Sequence, residues 1–227
     1  MLNQFSRTQL LFGEDGMEKL RRSRVAVFGV GGVGGYAVEA LARSGIGALD
    51  LIDDDRVCLT NLNRQLHATR KTVGHYKVDA AEERIREINP DCAVRAYKTF
   101  YMPDTQDQFD FSQYDYVIDA IDSVNDKVDL IIYASRVRGC KVFSSMGAAL
   151  RFDPTQVTTG ELFSIKGDAL AKAVRARMKR LDLKPYKKIR CVYSLEQAQR
   201  CETRGSLMQV TAVFGCTLAS LIIRDLL

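Results

Sequence analysis

The residues that could do chemistry in this 227-residue chain fall into four groups, each a few positions long. The first is RVAVFGVGGVGG, residues 24–35, where Gly29, Gly31 and Gly34 keep a G-x-G-x-x-G spacing and Gly32 and Gly35 add to it. Such a turn lets the backbone approach a phosphate, and the helix it opens offers unpaired N–H groups and a partial positive charge. The second group is Asp53, Asp54 and Asp55. Asp53 lies about 20 residues past the last glycine, where a carboxylate can bind ribose hydroxyls. The third is the polar connection 56–72, with Asn61, Asn63, Arg64 and Gln65, followed by Lys77. The fourth is Asp119 and Asp122 in DAIDS.

These groups bear on which nucleotide is bound. A dinucleotide pyrophosphate needs only helix-terminal amides. A triphosphate carries more charge, and arginine and lysine are its usual partners. Arg64 and Lys77 therefore point to ATP, whereas the glycine turn alone is equally compatible with an NAD(P) oxidoreductase. Asp122 fits either a Mg2+ ligand, since that ion takes one or two carboxylates plus phosphate oxygens, or the N-cap of the helix beginning near Val124. Asp119 fits a role in ordering nearby backbone.

Positioning these groups requires strands alternating with helices. Apolar runs at 24–28, 48–53, 93–99, 115–120 and 141–146 read as strands, and 33–42, 73–89 and 124–137 as helices. That alternation predicts a Rossmann-like, doubly wound and mostly parallel α/β sheet. Residues 1–23 read as an N-terminal arm, with 18–22 ending a short helix, 24–147 as the nucleotide-binding core, and 148–227 as a C-terminal extension of the same structural domain. In the extension, 150–165 reads as antiparallel β-structure with Pro154 in a turn. A basic helix is expected over 168–180, a strand over 189–195 and a closing helix over 205–227. The closing helix is apolar from Val210 to Ile223, short for a membrane span, and reads as a buried or dimer-interface helix.

An apolar fraction of 46% and a charged fraction of 27% are those of a soluble globular protein. The net charge of +5 permits a nucleic-acid partner without requiring one. Lys172, Arg175, Arg177, Lys179 and Arg180, then Lys184, Lys187 and Lys188, suit contact with RNA phosphates or a solvated face. Tyr186 and Tyr193 could stack on a base. None of the six cysteines forms a C-x-x-C pair, so no zinc ribbon or thioredoxin-like site is expected. Cys58, Cys92, Cys140 and Cys216 read as packing residues, and His67 and His75 as structural or surface residues. The N-terminus lacks a basic-then-apolar leader pattern. A cytoplasmic protein with free thiols is the expectation, with peripheral membrane association left open.

GVGGVGG, LIDDD, TNLNRQ, Lys77 and DAIDS together resemble the ubiquitin-activating-enzyme-like superfamily, whose bacterial members include ThiF, MoeB and HesA. The resemblance covers roughly residues 5–146 and the closing helix. ALARSGIGALDLIDDDRVCLTNLNRQLHA, GHYK, REINPDC, VIDAIDS, DPTQV and CVYSLE are most similar to the tRNA threonylcarbamoyladenosine dehydratase branch. That branch uses ATP to activate the threonyl carboxylate of the modified adenosine and closes the side chain on itself, releasing AMP and pyrophosphate. The resemblance implies Gly29, Gly31, Gly32 and Gly34 along the phosphates and Asp53, with Asp55 beside it, at the ribose. It implies Asn61, Arg64 and Lys77 at the phosphates and Asp122 at Mg2+. Arg7 matches an arginine that reaches the partner subunit's ATP, which implies a homodimer. Cys201 lies near where this branch often has a cysteine, although the 195–205 segment is shorter than the branch's usual loop. A Na+ or K+ site and a sulfur-transfer partner, a cysteine desulfurase or its acceptor, are further implications. The alternative within the superfamily is adenylation of the C-terminus of a ubiquitin-like sulfur carrier; the lack of zinc cysteines favours the tRNA branch.

Overall fold

The computed structural model describes residues 3–199, 201, 203 and 205–227. Its centre is a seven-stranded sheet of β1 (Arg24–Phe28), β2 (Ala48–Ile52), β3 (Ala93–Tyr97), β4 (Tyr116–Asp119), β5 (Lys141–Ser145), β6 (Val157–Glu161) and β7 (Arg190–Ser194), in the order β3-β2-β1-β4-β5-β7-β6. Every pairing is parallel except β6 with β7. β1, β2 and β4 are buried almost throughout, as continuous apolar strands covered on both faces must be.

Helices α1 (Ser6–Arg22), α2 (Gly34–Ser44), α3 (Lys77–Ile88) and α6 (Met208–Leu226) cover one face; α4 (Val124–Arg136) and α5 (Ala169–Arg180) cover the other. The second face is rich in aromatic rings, with Phe28 stacked on Phe111 at 5.6 Å between centroids and edge-on to Tyr101 and Phe109. By length and composition α6 could cross a membrane. It packs instead with Val210, Phe214, Leu218 and Ile222 in the core. A methyl group at Gly215 would lie 2.3 Å from the Val33 carbonyl oxygen, so only glycine lets α6 come this close to α2.

Several elements differ from the sequence reading. The helix expected from residue 73 begins only at Lys77, because 73–76 form a turn in which Gly74 takes φ 91°. The expected β-structure over 150–165 shrinks to β6, since Pro154 opens a short 3-10 turn and 150–152 are held irregular by Arg151. β7 adds to β5 in parallel, so only the outermost strand is antiparallel. The arm is helical along most of its length, with a kink at Gly13 (φ 68°, ψ −177°). Cys58 and Cys216, expected to pack, are exposed, whereas Cys92, Cys140 and Cys191 are buried.

Candidate nucleotide site

Strand order reverses between β1 and β4, because β1 continues to β2 on one side while β4 continues to β5 on the other. Ligands of open α/β sheets bind at such a point, beyond the C-terminal strand ends. The glycine turn leaves β1 here and the DAIDS segment leaves β4. Gly29 takes φ 89°, and a methyl group on it would lie 2.7 Å from the Ala120 carbonyl oxygen, so the two segments touch. At Gly34 a methyl group would fall 1.9 Å from the Gly29 oxygen, which is why α2 can start directly against the turn.

The polar connection folds over this turn. A methyl group at Gly32 would meet the Arg64 Cγ at 3.4 Å, one at Gly31 the Gln65 Nε2 at 3.8 Å, and one at Gly35 the His67 Nδ1 at 3.2 Å. The Arg64 guanidinium donates to the Thr60 carbonyl (2.8 Å) and the Asn63 side-chain oxygen (3.0 Å). Asn61 is buried and its Oδ1 accepts the Cys58 N–H, which shapes the 3-10 turn that carries Arg64. The exposed Cys58 thiol, hydrogen-bonded to Thr60, is held below the ordinary thiol range by that contact.

Asp53 clamps the two halves together. Its Oδ2 accepts the Val30 N–H from the glycine turn (2.8 Å) and its Oδ1 accepts the Asp55 N–H (2.9 Å). The Lys77 ammonium, buried at the start of α3, donates to Asp55 and lies 3.5 Å from Asp53. Burial holds the Asp53 carboxyl above the ordinary aspartate value, against the opposing pull of Lys77 and the two N–H donors. Carboxylate oxygens of Asp53, Asp54 and Asp55 lie within 4.8 Å of one another. Lys77 is charge-paired with this cluster.

Asp122 is exposed beyond β4, and among the described residues its carboxylate makes no hydrogen bond or ion pair. Ser123 occupies the N-cap of α4 and no side chain caps it. Asp122 thus keeps its hard oxygen donors free, as a Mg2+ ligand must. Asp119 orders backbone, its Oδ1 accepting the Ile121 N–H at 3.1 Å. Its Oδ2 meets the fully buried Lys127 (2.7 Å) and the Ser144 hydroxyl (2.5 Å), and Lys127 donates also to the Ser145 carbonyl (3.0 Å). Lys127 escaped the sequence reading. Its one signal is a lysine inside an otherwise apolar helix face, eight positions past Asp119. His67, a structural or surface residue by sequence, is buried. Burial first, then the charges of Lys77 and Arg84, push its pKa down to about 4. Its Nε2 and the Gln65 Oε1 are buried without a partner among the described residues.

The other residues singled out in the sequence lie elsewhere. Arg7 is exposed on α1, before the kink, beside Leu10 and Leu11, which are 86% and 81% exposed. Cys201 is exposed on a loop held at the C-terminal strand ends, where Gln199 donates to the Leu150 carbonyl and Leu150 to that of Gly205. The basic residues do not reach the nucleotide turn. Arg175 donates to the Leu162 carbonyl and Lys187 to those of Val137 and Cys140, while Lys172, Lys179, Arg180, Lys184 and Lys188 belong to the α5 face and the loop after it.

A glycine turn at the switch point of a mostly parallel sheet, with the buried Asp53 carboxylate bonded to it and Arg64 packed on it, defines a nucleotide-binding α/β protein. The chain matches the ThiF family over residues 5–227 and belongs to it. It is 46% identical over 196 residues to the tRNA threonylcarbamoyladenosine dehydratase of Bacillus subtilis, covering 86% of this chain and 76% of that protein. The namesake from Haemophilus influenzae is 38% identical over 237 residues, covering 96% and 90%. The crystal structure of Escherichia coli tRNA N6-threonylcarbamoyladenosine dehydratase with ATP superposes with a TM-score of 0.92 at 39% identity, over 98% of this chain and 93% of that one. An adenylyltransferase and sulfurtransferase from Aspergillus clavatus is 40% identical over only 49% of this chain.

Proposed function

We propose that this chain is an ATP-dependent tRNA-modifying enzyme that adenylates the carboxylate of threonylcarbamoyladenosine and drives its cyclisation. The observation that carries this reading is the placement of Arg64 and Lys77 against the glycine turn and Asp53, in a fold shared over nearly its whole length with the ATP-bound Escherichia coli relative. Its likeness to the dehydratases over most of the chain, against likeness to the adenylyltransferase and sulfurtransferase over about half of it, favours the tRNA substrate over a ubiquitin-like carrier.

The chemistry follows from charge. A carboxylate oxygen attacks the α-phosphorus, pyrophosphate leaves, and an acyl-adenylate forms. An atom of the same side chain then attacks the acyl carbon and AMP departs, so the adenosine has lost one water overall. Both partners of the first step are anions, and fixed cations at the developing charge lower that barrier. Amides of the turn at Gly29, Gly31, Gly32 and Gly34 cradle phosphates; Asp53 holds the ribose with Asp55 beside it. Asn61 sets the turn that aims Arg64, and Lys77 moves from Asp55 to phosphate. Asp122 would hold Mg2+, which would neutralise phosphate oxygens.

Arg7 would complete the site of a second copy, and the exposed Leu10 and Leu11 beside it suit burial in such a homodimer. Cyclisation is intramolecular, so Cys201 is a candidate acyl acceptor that the reaction does not need. A monovalent cation and a sulfur-transfer partner belong to the same proposal on resemblance alone. The cytoplasm, which holds ATP and tRNA, is the matching compartment. The test is nucleoside mass spectrometry after incubating the protein with ATP, Mg2+ and tRNA carrying the modification. Loss of one water from the modified adenosine is expected; an unchanged mass, with adenylation of a sulfur-carrier C-terminus, would overturn the reading.

A further inference from the structure

The basic segment of this chain runs from the C-terminal ends of the strands to the end of the sheet far from the nucleotide turn. α5 starts at the C-terminal strand ends, where its N-cap Asp168 pairs with Arg151, itself bonded to the Gly147 carbonyl. The segment after α5 lies at the opposite end. The Tyr186 N–H donates to the Ser135 Oγ near the end of α4 (3.1 Å), and Lys187 donates to the Val137 (2.6 Å) and Cys140 (2.7 Å) carbonyls just ahead of β5. Five residues of strand, about 16 Å, separate this end from Ser145 and the site.

Tyr186 is 73% exposed although its backbone and its neighbour are both pinned. The Arg136 guanidinium lies 5.6 Å from its ring centroid. Arg138 and Lys188 are exposed nearby. Lys188 and the exposed Arg190 also line a groove of about 440 Å³ whose floor includes Val142 and Phe143. Of the two carboxylates in that groove, Asp225 is paired with Lys141, and Glu161 is outnumbered by the cations. A solvent-facing ring on a pinned backbone, with Arg136 beside it and further arginine and lysine on the adjoining segments, is the composition that stacks an unpaired base and holds its flanking phosphates.

We infer that Tyr186, with Arg136, Arg138, Lys188 and Arg190, forms a second tRNA-binding site. It takes an unpaired base of the same tRNA whose modified adenosine reacts at the other end of the sheet. This rests on the tRNA reading proposed above. The separation along the sheet means the site cannot hold the reacting adenosine itself; it anchors the molecule and leaves the chemistry to the nucleotide end.

The test is RNA footprinting of the complex with full-length modified tRNA, together with affinity measured over a range of salt. In the wild type two separate stretches of tRNA are protected, one around the modified adenosine and one remote from it. Tyr186→Ala removes the remote protection and keeps the other, and weakens binding about five- to 150-fold, the range for one lost stack; Tyr186→Phe restores both. Arg136→Glu with Arg138→Glu lowers the slope of log affinity against log salt by about 1.4–1.8. ATP affinity stays at the wild-type value in every variant, which shows that each is folded. Unchanged footprint and affinity in Tyr186→Ala would overturn the inference. A wild type that protects no RNA would overturn the tRNA reading itself, and this inference with it.

Discussion

Replacing Lys127 by methionine tests how the DAIDS segment is held. Lys127 and Asp119 are both fully buried, and the ammonium donates to Asp119 at 2.7 Å, to the Ser145 carbonyl and to the Ser144 hydroxyl. Methionine keeps the stem but leaves Asp119 with only the Ser144 hydroxyl and the Ile121 N–H. Removing one partner of a buried ion pair costs about 3–5 kcal/mol, because the remaining charge has no water to turn to. In a chain of this size each kcal/mol moves Tm by about 2–4 °C, so the expected fall is about 6–20 °C by calorimetry without nucleotide. The double variant Lys127→Met with Asp119→Asn should recover part of it, since no buried charge remains. Turnover should fall even at temperatures where the variant is folded, because Asp119 fixes the backbone that presents Asp122. A single variant with Tm within about 2 °C of wild type would refute the argument, since a deeply buried charge cannot lose its counter-ion so cheaply.

Other outcomes follow from single contacts. Lys77→Ala and Arg64→Ala should each lower AMP release by about 10²-fold or more; wild-type turnover in either would sink the phosphate assignment. Arg64→Ala should leave the fold intact, since Arg64 bonds only neutral oxygens, whereas Lys77→Ala should also lower Tm, because the buried Asp53 loses the cation 3.5 Å away. Gly34→Ala forces a methyl group to 1.9 Å from the Gly29 oxygen and should abolish ATP binding, measured by calorimetric titration. His67, with a pKa lowered to about 4, is neutral in the folded chain. Its contribution to stability is complete above about pH 6.5, the unfolded value, and is lost as pH falls toward 4, up to about 3 kcal/mol. Denaturant melts at pH 7 and pH 4.5 should show that loss in the wild type and a smaller one in His67→Gln. Leu10→Asp with Leu11→Asp should turn a dimer into a monomer in analytical ultracentrifugation; an unaltered dimer would place the interface elsewhere.

The strand–turn–helix at Gly29–Gly34 was legible because its requirements are local: only glycine fits where a methyl group would strike the neighbouring backbone. β1, β2, β4 and β5 were legible to within one residue at each end because buried parallel strands are continuous apolar runs. Residues 150–152 were not. Their side chains suit a strand, but Arg151 is drawn into a buried pair with Asp168 and bonds Gly147, a contact that exists only once α5 has docked. Cys58 looked like a packing residue because it sits between Val57 and Leu59, yet the 3-10 turn set by Asn61 rotates it outward.

The sequence by itself determined that a glycine-rich strand–helix turn, a carboxylate at the end of β2 and the cations Arg64 and Lys77 shortly after it are present, since residue type and spacing dictate those capacities. Tertiary structure alone decided how they meet. It set Arg64 on Gly32 and paired Lys77 with the Asp53–Asp55 cluster. It also carried the end of the basic segment to the opposite end of the sheet. The reason is that a charged side chain's role depends on which backbone and which counter-charge it faces after packing, and residues far apart in the chain settle that.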